Sequence, residues 1–349
     1  MPHPAKAGLL AQLTIDHQIL NLVAGLDEFR GRWAYMVQHI PAEIMADLGR
    51  RATVESVGAS CRISGGRLTD MEVDRFLFGP EARQPRSPDE RIAAGYAEAL
   101  EMIYESGEEE KLDTGFIRRL HGAVTWYGSA SDVWRGPYGA QPAAQAGAAP
   151  APAGDQDPRR VPVALRELVQ RTTSALESGA YHPILVASAF THSFLAMHPF
   201  QQGNGRLSRL LATWMMHRSG YGYVALSSIE RVLEESIDRF HRLIAGPASP
   251  AAHERAGLQE WTRYMLHVLA SQRDALERRL ERYDHVARLQ HLSERLLALA
   301  RSRARITMAA AMSETGSGRN TIKVHLRRLV AEGVLERHGA GRGAWYTLA

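Results

Sequence analysis

Apolar residues recur every three to four positions along most of the chain, which is the spacing of amphipathic and buried helices. The runs between these segments are rich in Gly, Pro and Ser and are typical of loops. The pattern therefore predicts a mainly α protein. Helices are predicted at residues 9–26, 43–61, 89–104, 113–126, 161–178, 181–197, 207–217, 230–244, 258–280 and 281–301.

The pattern changes in residues 301–349. Ile306 and Thr307 start a short predicted helix, a Gly-Ser-Gly turn follows at 316–318, and residues 319–332 form a second helix, which is helix-turn-helix spacing. Two strands are predicted around a glycine-rich tip in residues 333–348. The region closely resembles winged helix-turn-helix domains, which bind DNA or dock onto proteins, and we expect DNA. The residues expected to reach phosphates and base edges are Arg319, Asn320, Lys323, His325 and Arg327 on the second helix, and Arg337 and Arg342 on the wing.

The charge distribution sets the same region apart. The chain has a formal net charge of +4, whereas residues 301–349 carry nine Lys or Arg and three Glu, a net charge of +6 that leaves −2 for everything before them. A basic end on a slightly acidic body favours a separate module with an anionic partner.

Composition excludes several classes of protein. The hydrophobic content of 45% and the charged content of 23% are those of a soluble globular protein, and 349 residues predict two or three domains. No apolar stretch reaches the roughly 20 residues that span a bilayer, and the N-terminus lacks a signal-type region, so we expect a cytoplasmic protein with no membrane partner. The single cysteine, Cys61, excludes an intrachain disulfide and a cysteine-built zinc site, and is expected to be buried and inert.

The candidate chemistry is concentrated in residues 198–209, His-Pro-Phe-Gln-Gln-Gly-Asn-Gly-Arg-Leu-Ser-Arg. Pro199 ends the apolar helix before this segment. Gly203, Asn204 and Gly205 then form a turn that opens the next helix. Backbone N–H groups at a helix N-terminus bind anions, and glycines let a phosphate approach the backbone, so the segment predicts a phosphate site.

Three side chains around this turn support that prediction. Arg206 and Arg209 are three residues apart and share a face of the first helical turn. Two cations at a helix N-terminus oppose the helix dipole, which indicates that an anion binds there. His198 lies at the other end of the turn and can accept a proton from an attacking hydroxyl near pH 7.

The same residues resemble a known family. The segment is similar to the Fic signature, His-Pro-Phe-x-(Asp/Glu)-Gly-Asn-Gly-Arg-x-x-Arg, at every fixed position except Gln202. The resemblance implies a helical core with a small β-hairpin flap, and transfer of AMP from ATP to a hydroxyl of a protein partner. It implies that His198 is the catalytic base, and that phosphates are bound by Gly203, Asn204, Gly205, Arg206 and Arg209.

The departure at Gln202 leaves the activity open. In the family an Asp or Glu at this position holds Mg²⁺, whereas Gln202 offers a neutral carbonyl oxygen, a poorer ligand for a hard dication. Three interpretations follow: an AMP transferase that is slow or tolerates a missing metal ligand, a Fic protein with another phosphorylated donor, and a catalytically silent fold that senses a ligand for a DNA-binding regulator.

Two further segments fit the family. Ser60 to Gly65 has the frame of a helix whose glutamate covers the nucleotide site in many Fic proteins, but Ser64 stands at the glutamate position, so this autoinhibition is expected to be missing; the alternative is plain N-terminal packing. Residues 129–142 fall where Fic proteins carry the flap. There Trp134, Arg135 and Tyr138 are expected to hold a target segment by strand pairing and stacking.

The predicted organisation combines these segments. Residues 1–88 form an N-terminal helical region with the degenerate inhibitory helix, and 89–280 form a Fic-like core whose residues 129–158 hold the flap and an Ala/Pro-rich insertion expected to be disordered. Residues 281–300 form a connecting helix that can also pair with a second copy, which leaves a homodimer open, and 301–349 form the winged helix. His121, on an apolar stripe, is expected to be a satisfied core histidine.

Overall fold

The structure is a computed structural model that describes residues 9–11, 13–80, 82–107, 109–126, 160–245, 250–340 and 343–349. The fold is mainly helical, which confirms the predicted fold class. The chain divides into two compact units, residues 1–276 and 277–349. Across the described ranges, every helix is too short or too polar to cross a bilayer.

The described part of the first unit consists mainly of helices, with two 3-10 helices, Val37–His39 and Gly222–Leu226. The long helix α11 begins in this unit. In chain order the helices are α1 (His17–Met36), α2 (Ala42–Ile63), α3 (Asp70–Phe78), α4 (Pro88–Glu105), α5 (Thr114–Trp126), α6 (Val161–Glu177), α7 (Pro183–Met197), α8 (Asn204–Arg218), α9 (Ile229–Glu235), α10 (Ile237–Ala245) and α11 (Pro250–Ser302).

Capping residues explain two differences from the predicted helices. The helix predicted at 9–26 begins only at His17, because the Asp16 side chain accepts a hydrogen bond from the N–H of Ile19 and fixes the N-terminus there. α3 was not predicted at all, although its capping box is readable in the sequence. The Thr69 side chain accepts from the N–H of Glu72, and Glu72 accepts from the N–H of Thr69.

One other predicted helix is wrong, and one is confirmed. The helix predicted at 230–244 is interrupted at Ser236, whose hydroxyl lies 3.0 Å from the carbonyl oxygen of Val232 and 2.8 Å from the hydroxyl of Tyr264, so that α9 and α10 are separate. The prediction that residues 281–301 continue the helix of residues 258–280 is confirmed, because both segments lie in α11. No Gly or Pro interrupts the sequence between Gly257 and the end of α11, which allows the helix to continue.

α7 and α8 lie at the centre of the first unit. α7 is buried on most of its faces, as its apolar sequence predicts, and Phe190 and Phe194 are fully buried. α8 is buried without interruption from Leu207 to Met216. The short connection between the two helices is therefore anchored in the core at both of its ends.

α4 contacts α5 at a point where no side chain fits. A Cβ atom on Gly95 would lie 2.6 Å from the carbonyl oxygen of Ala123 and 3.0 Å from that of Val124. The glycine therefore allows the C-terminal turn of α5 to lie directly on the backbone of α4.

We expect Gly95→Ala to destabilise the first unit by about 1–3 kcal/mol, because the added methyl forces the two helices apart. Gly122→Ala on α5 is the matched control, since nothing lies within 4 Å of a Cβ there. In this helical position alanine should stabilise by up to about 1 kcal/mol. Urea unfolding of both variants measures the difference, and equal midpoints would show that the contact at Gly95 is not tight.

The second unit contains a helix pair and a small sheet. β1 (Ile306–Thr307), β2 (Leu335–His338) and β3 (Trp345–Leu348) form an antiparallel sheet in the order β1-β3-β2. α12 (Met308–Thr315) and α13 (Arg319–Ala331) lie between β1 and β2 in the chain. The prediction that Ile306 and Thr307 start a helix is wrong, because they pair with β3, and Thr307 then caps α12 by accepting from the N–H of Ala310.

The core of the second unit joins its helices to its sheet. The last turns of α11 supply Leu296 and Leu299, and α13 supplies Ile322 and Leu326. These side chains pack with Leu335 and Tyr346 of the sheet and with Ile306, Ala311 and Leu329. Helix α13 is thus buried along one face only, and its other face is free to carry polar residues.

Candidate functional site

The turn between α7 and α8 is built around the side chain of Asn204. Its Oδ1 accepts from the N–H of Phe200 at 2.9 Å, and its Nδ2 donates to the carbonyl oxygen of Phe200 at 2.6 Å. Nδ2 also lies 3.1 Å from Nδ1 of His198. Only 2% of Asn204 is exposed, so these bonds are protected from water and fix the shape of the turn.

His198 caps α7 in a strained backbone conformation. Its φ of 49° and ψ of 58° are left-handed, a region that is uncommon for residues other than Gly, although His, Asn and Asp occupy it more often than most. The residue as a whole is exposed, but its ring lies against the buried side chain of Asn204. Partial burial lowers the pKa of His198 below its ordinary value, so the neutral ring that can accept a proton predominates at pH 7.

His121 of α5 contacts the same turn. Its Nε2 lies 3.1 Å from the carbonyl oxygen of Gln202, and its ring stacks on Phe200 with 3.9 Å between centroids and 13° between planes. Because a carbonyl can only accept, Nε2 carries the proton. The prediction that His121 is satisfied is confirmed. Its place beside the motif was not foreseen.

Arg206 lies in the first turn of α8 and is half-buried. Its Nη1 donates to the carbonyl oxygen of Val124 at 3.0 Å, near the C-terminal end of α5. Burial and the nearby charge of Arg209 lower the pKa of Arg206 to about 10, which still leaves it charged at pH 7. Its present partner is a neutral carbonyl that an anion can replace.

Arg209 is almost fully buried, with 4% of its surface exposed. Its Nη2 donates to Oγ of Ser60 at 2.8 Å, and its guanidinium carbon lies 6.0 Å from the centre of the Tyr96 ring. Nε is buried and has no hydrogen-bond partner among the described residues. A Cβ atom on Gly205 would lie 3.6 Å from Nη1, which places that nitrogen beside the turn between α7 and α8.

The two arginines share one environment. The charge of Arg209 helps to lower the pKa of Arg206, and in the described part of the chain neither arginine forms an ion pair with a carboxylate. Both lie in the first two turns of α8, where the helix dipole is positive. Two neighbouring cations without a carboxylate partner are the kind of group to which an anion with more than one negative charge can bind.

The residue of α2 that contacts Arg209 is Ser60. The sequence places Ser64 at the position expected to face this arginine, but Ser64 is exposed at the C-terminal end of α2, and its hydroxyl donates to the carbonyl oxygen of Ser60 at 2.9 Å. A serine hydroxyl carries no charge. α2 therefore approaches Arg209 without neutralising it.

Cys61, next to Ser60, is buried with a free thiol, as predicted. Burial, with the charge of Asp89 acting in the same direction, raises the pKa of the thiol to about 11. The thiolate is thus scarce at pH 7.

The donors beside the turn do not fit a protein-bound divalent metal. Gln202 contributes a neutral amide, its backbone carbonyl accepts from His121, and the neighbouring charged groups are cations. Within the described ranges no three His, Cys, Asp or Glu residues come together as a metal site. Mg²⁺ is usually held by one or two carboxylates together with phosphate oxygens, so a neutral amide among cations is a poor protein site for it.

The predicted target-binding residues Trp134, Arg135 and Tyr138 lie outside the described residues, as does the Ala/Pro-rich segment. In the second unit, the exposed face of α13 carries Arg319, Asn320, Lys323 and Arg327, and β2 exposes Arg337. Arg342 lies outside the described residues. His325 is not on this face: it is buried, with Nδ1 at 2.8 Å from the hydroxyl of Ser293, so the expectation that it faces DNA is wrong.

Comparison with known proteins points to one family for the residues around the turn of the first unit. Residues 111–216, which include α5, the turn and most of α8, match the Fic/DOC family. A Fic family protein from Desulfovibrio desulfuricans has a similar structure, with 21% identity, coverage of 97% of this chain and 98% of that chain, and a TM-score of 0.60. No curated protein matches the chain.

Two other solved structures share the fold. A Fic domain containing signaling protein from Bacteroides thetaiotaomicron has 20% identity, coverage of 74% of this chain and 98% of that chain, and a TM-score of 0.55. Residues 134–508 of Fic-1 from C. elegans have 16% identity, coverage of 75% of this chain and 71% of that chain, and a TM-score of 0.57. At these identities the likeness concerns the fold.

We expect the strain at His198 to be measurable as stability. His198→Gly should be about 1 kcal/mol more stable than His198→Ala, because glycine occupies the left-handed region without a Cβ clash. The same pair at Ser193, inside α7, should show the opposite order, since glycine is about 1 kcal/mol less favourable than alanine in a helix. Thermal unfolding of the four variants tests this, and the same order at both positions would contradict the left-handed conformation.

Proposed function

We propose that the first unit transfers AMP from ATP to a hydroxyl group of a protein side chain. The observation that carries the proposal is the pair Arg206 and Arg209, which lie close together at the start of α8 without a carboxylate partner among the described residues. A polyphosphate supplies the missing negative charge. The match of residues 111–216 to the Fic/DOC family favours protein nucleotide transfer over simple phosphate binding.

In the proposed reaction the hydroxyl oxygen of the target attacks the α-phosphorus of ATP. A new O–P bond forms, the bond from the α-phosphorus to the oxygen that bridges to the β-phosphorus breaks, and pyrophosphate leaves. The hydroxyl proton passes to His198, whose lowered pKa keeps it neutral beforehand. Arg206 and Arg209 stabilise the charge that develops on the leaving phosphates, and most of the catalysis is positioning and electrostatics.

The second candidate is a silent or altered-donor Fic protein that regulates DNA binding in response to a ligand. It is favoured by the lack of a carboxylate at Gln202, because the donors at the turn do not fit a metal. It is disfavoured by the strained His198, since a fold that only binds gains nothing from holding a neutral base in a costly conformation.

The decisive change is Gln202→Glu, which places a carboxylate beside the phosphates. We expect the variant to become Mg²⁺-dependent and to transfer more labelled AMP from ATP onto itself or onto lysate proteins than the wild type does. His198→Ala in the same background should abolish that transfer, because the hydroxyl then keeps its proton.

The other outcomes separate the candidates. Transfer by the wild type that matches the Gln202→Glu variant would show that the neutral amide suffices. If neither protein transfers a nucleotide while ATP alters DNA binding, the regulator replaces the enzyme. Calorimetry with Arg206→Ala completes the test. If this substitution leaves the affinity for ATP unchanged, Arg206 does not bind phosphate and the proposed phosphate site is contradicted.

We further propose that the second unit binds duplex DNA as a winged helix. The supporting observation is that Arg319, Lys323 and Arg327 are exposed on one face of α13, at the spacing of successive helical turns. None of them forms an ion pair with a described carboxylate, so their charges are available to phosphates. Asn320 on the same face can read a base edge.

DNA affinity of the full chain should fall steeply with salt, and Lys323→Ala or Arg327→Ala should each reduce the slope of log affinity against log salt by about one. Arg328→Ala is the matched control, because Nε of Arg328 is paired with Glu332 at 2.8 Å. It should change the slope less. Gel-shift titrations at several salt concentrations measure this, and binding that does not depend on salt would favour a protein-docking role for the unit.

A further inference from the structure

The exposed face of α13 is defined by the face that it buries. The buried side chains of this helix form one stripe, which consists of Ile322, His325, Leu326 and Leu329. Successive residues of a helix are rotated by roughly 100°, which places Asn320, Val324 and Arg327 opposite the centre of that stripe. All three residues are exposed, at the spacing i, i+4 and i+7. They form the outer stripe of α13, which faces away from the core of the second unit.

Val324 puts an apolar side chain in the middle of the outer stripe. It is 64% exposed and is not among the buried residues of the core. Valine is less favourable than alanine in a helix, so its presence at this position does not stabilise α13. All residues of α13 are described, and Val324 is the only large apolar side chain of the helix that is exposed. A partner with an apolar group on an otherwise polar, anionic surface explains this position.

The major groove of DNA has this combination of groups. The phosphates that border the groove are anionic, and the C5-methyl of thymine is an apolar group on the base edges inside it. Asparagine matches adenine, because its amide group donates to N7 and its carbonyl oxygen accepts from the N6 amino group. A·T base pairs therefore fit both Val324 and Asn320.

We propose that Val324 is a specificity-determining residue that contacts the C5-methyl of a thymine in the major groove, while Asn320 hydrogen-bonds to an adenine close to it. This inference rests on the proposed binding of duplex DNA by the second unit. Four residues correspond to about 6 Å along the helix axis, whereas successive base pairs are about 3.4 Å apart. The two contacts thus fall on A·T pairs one or two steps apart.

The order of residues along α13 agrees with this assignment. Helix-turn-helix proteins contact base edges with the N-terminal residues of the second helix. Asn320 and Val324 lie in the first half of α13, which begins at Arg319 and ends at Ala331. Arg327 follows one turn after Val324 and retains the phosphate contact proposed above.

A protein partner fits the outer stripe less well than DNA does. The buried centre of a protein interface is depleted in charged residues. Val324 instead has Lys323 next to it in the chain and Arg327 one helical turn away, and both are exposed. A single valine among cations offers too little apolar surface to form the centre of such an interface.

The test begins with the duplexes that the full chain binds most tightly, selected from a pool of random-sequence DNA. Each thymine of a selected duplex is then replaced, one at a time, by deoxyuridine, which lacks only the C5-methyl. We expect one of these replacements to weaken binding about fourfold, which corresponds to the loss of one buried methyl group. Gel-shift titrations at one fixed salt concentration measure the difference.

Val324→Ser is the variant that tests the contact, because serine has a helix propensity similar to that of valine and lacks its methyl groups. It should bind the thymine and deoxyuridine forms of the duplex with equal affinity. Val334→Ser is the matched control, because Val334 is an exposed valine of the same unit outside α13. It should keep the difference between the two forms.

The adenine contact is tested with 7-deazaadenine, which pairs with thymine but lacks the N7 acceptor. One such replacement, within about two base pairs of the sensitive thymine, should weaken wild-type binding about tenfold. Asn320→Ala should bind the two forms of this duplex equally, because it lacks the amide that donates to N7.

The failures are distinguishable. A full chain that binds none of the duplexes would remove the proposed DNA binding. A wild type that binds DNA without a preferred sequence, or that is insensitive to every deoxyuridine replacement, would overturn the role of Val324 alone. A Val324→Ser variant that still prefers thymine would do the same, because another residue would then contact the methyl. Insensitivity of the wild type to 7-deazaadenine would overturn the contact of Asn320.

Discussion

Two guanidinium groups must be held close together at the start of α8 although their charges repel each other. Arg206 rests on the carbonyl oxygen of Val124, and Arg209 rests on the hydroxyl of Ser60, so each is held by a neutral acceptor. Neutral acceptors fix geometry without cancelling charge. The consequence is a preorganised positive potential at a helix N-terminus, in surroundings where burial strengthens electrostatic interactions.

The backbone between the two helices is held independently of these charges. The Asn204 side chain closes the turn on Phe200, and His121 supports it through the carbonyl of Gln202. α5 therefore contributes to the site twice, through His121 and through the Val124 carbonyl. The backbone of α5 at Val124 also contacts α4 directly at Gly95, which helps to hold the Val124 carbonyl in place. α5 contains no residue of the signature, yet its contacts with Gln202 and Arg206 help to fix the positions of the signature residues.

The sequence was sufficient for the fold class and for the residues of the motif, because helical periodicity and the glycine turn are local signals. The sequence pattern predicted helix boundaries less accurately, because they depend on single capping residues such as Asp16 and Thr69. The contact between Ser60 and Arg209 could not be predicted, since the two residues come from separate helices that only tertiary packing brings together. His325 was misplaced by one helical face, because periodicity does not distinguish a histidine in the core from one on a basic surface.

The burial of Cys61 has a practical consequence. As the only cysteine of the chain, it provides a single thiol next to Ser60, and its raised pKa and burial keep it unreactive while α2 is in place. A thiol reagent can modify it only when α2 separates locally from the helices beneath it. The rate of modification therefore reports how often α2, which contacts Arg209 through Ser60, opens locally. This opening can be measured kinetically on the wild-type protein.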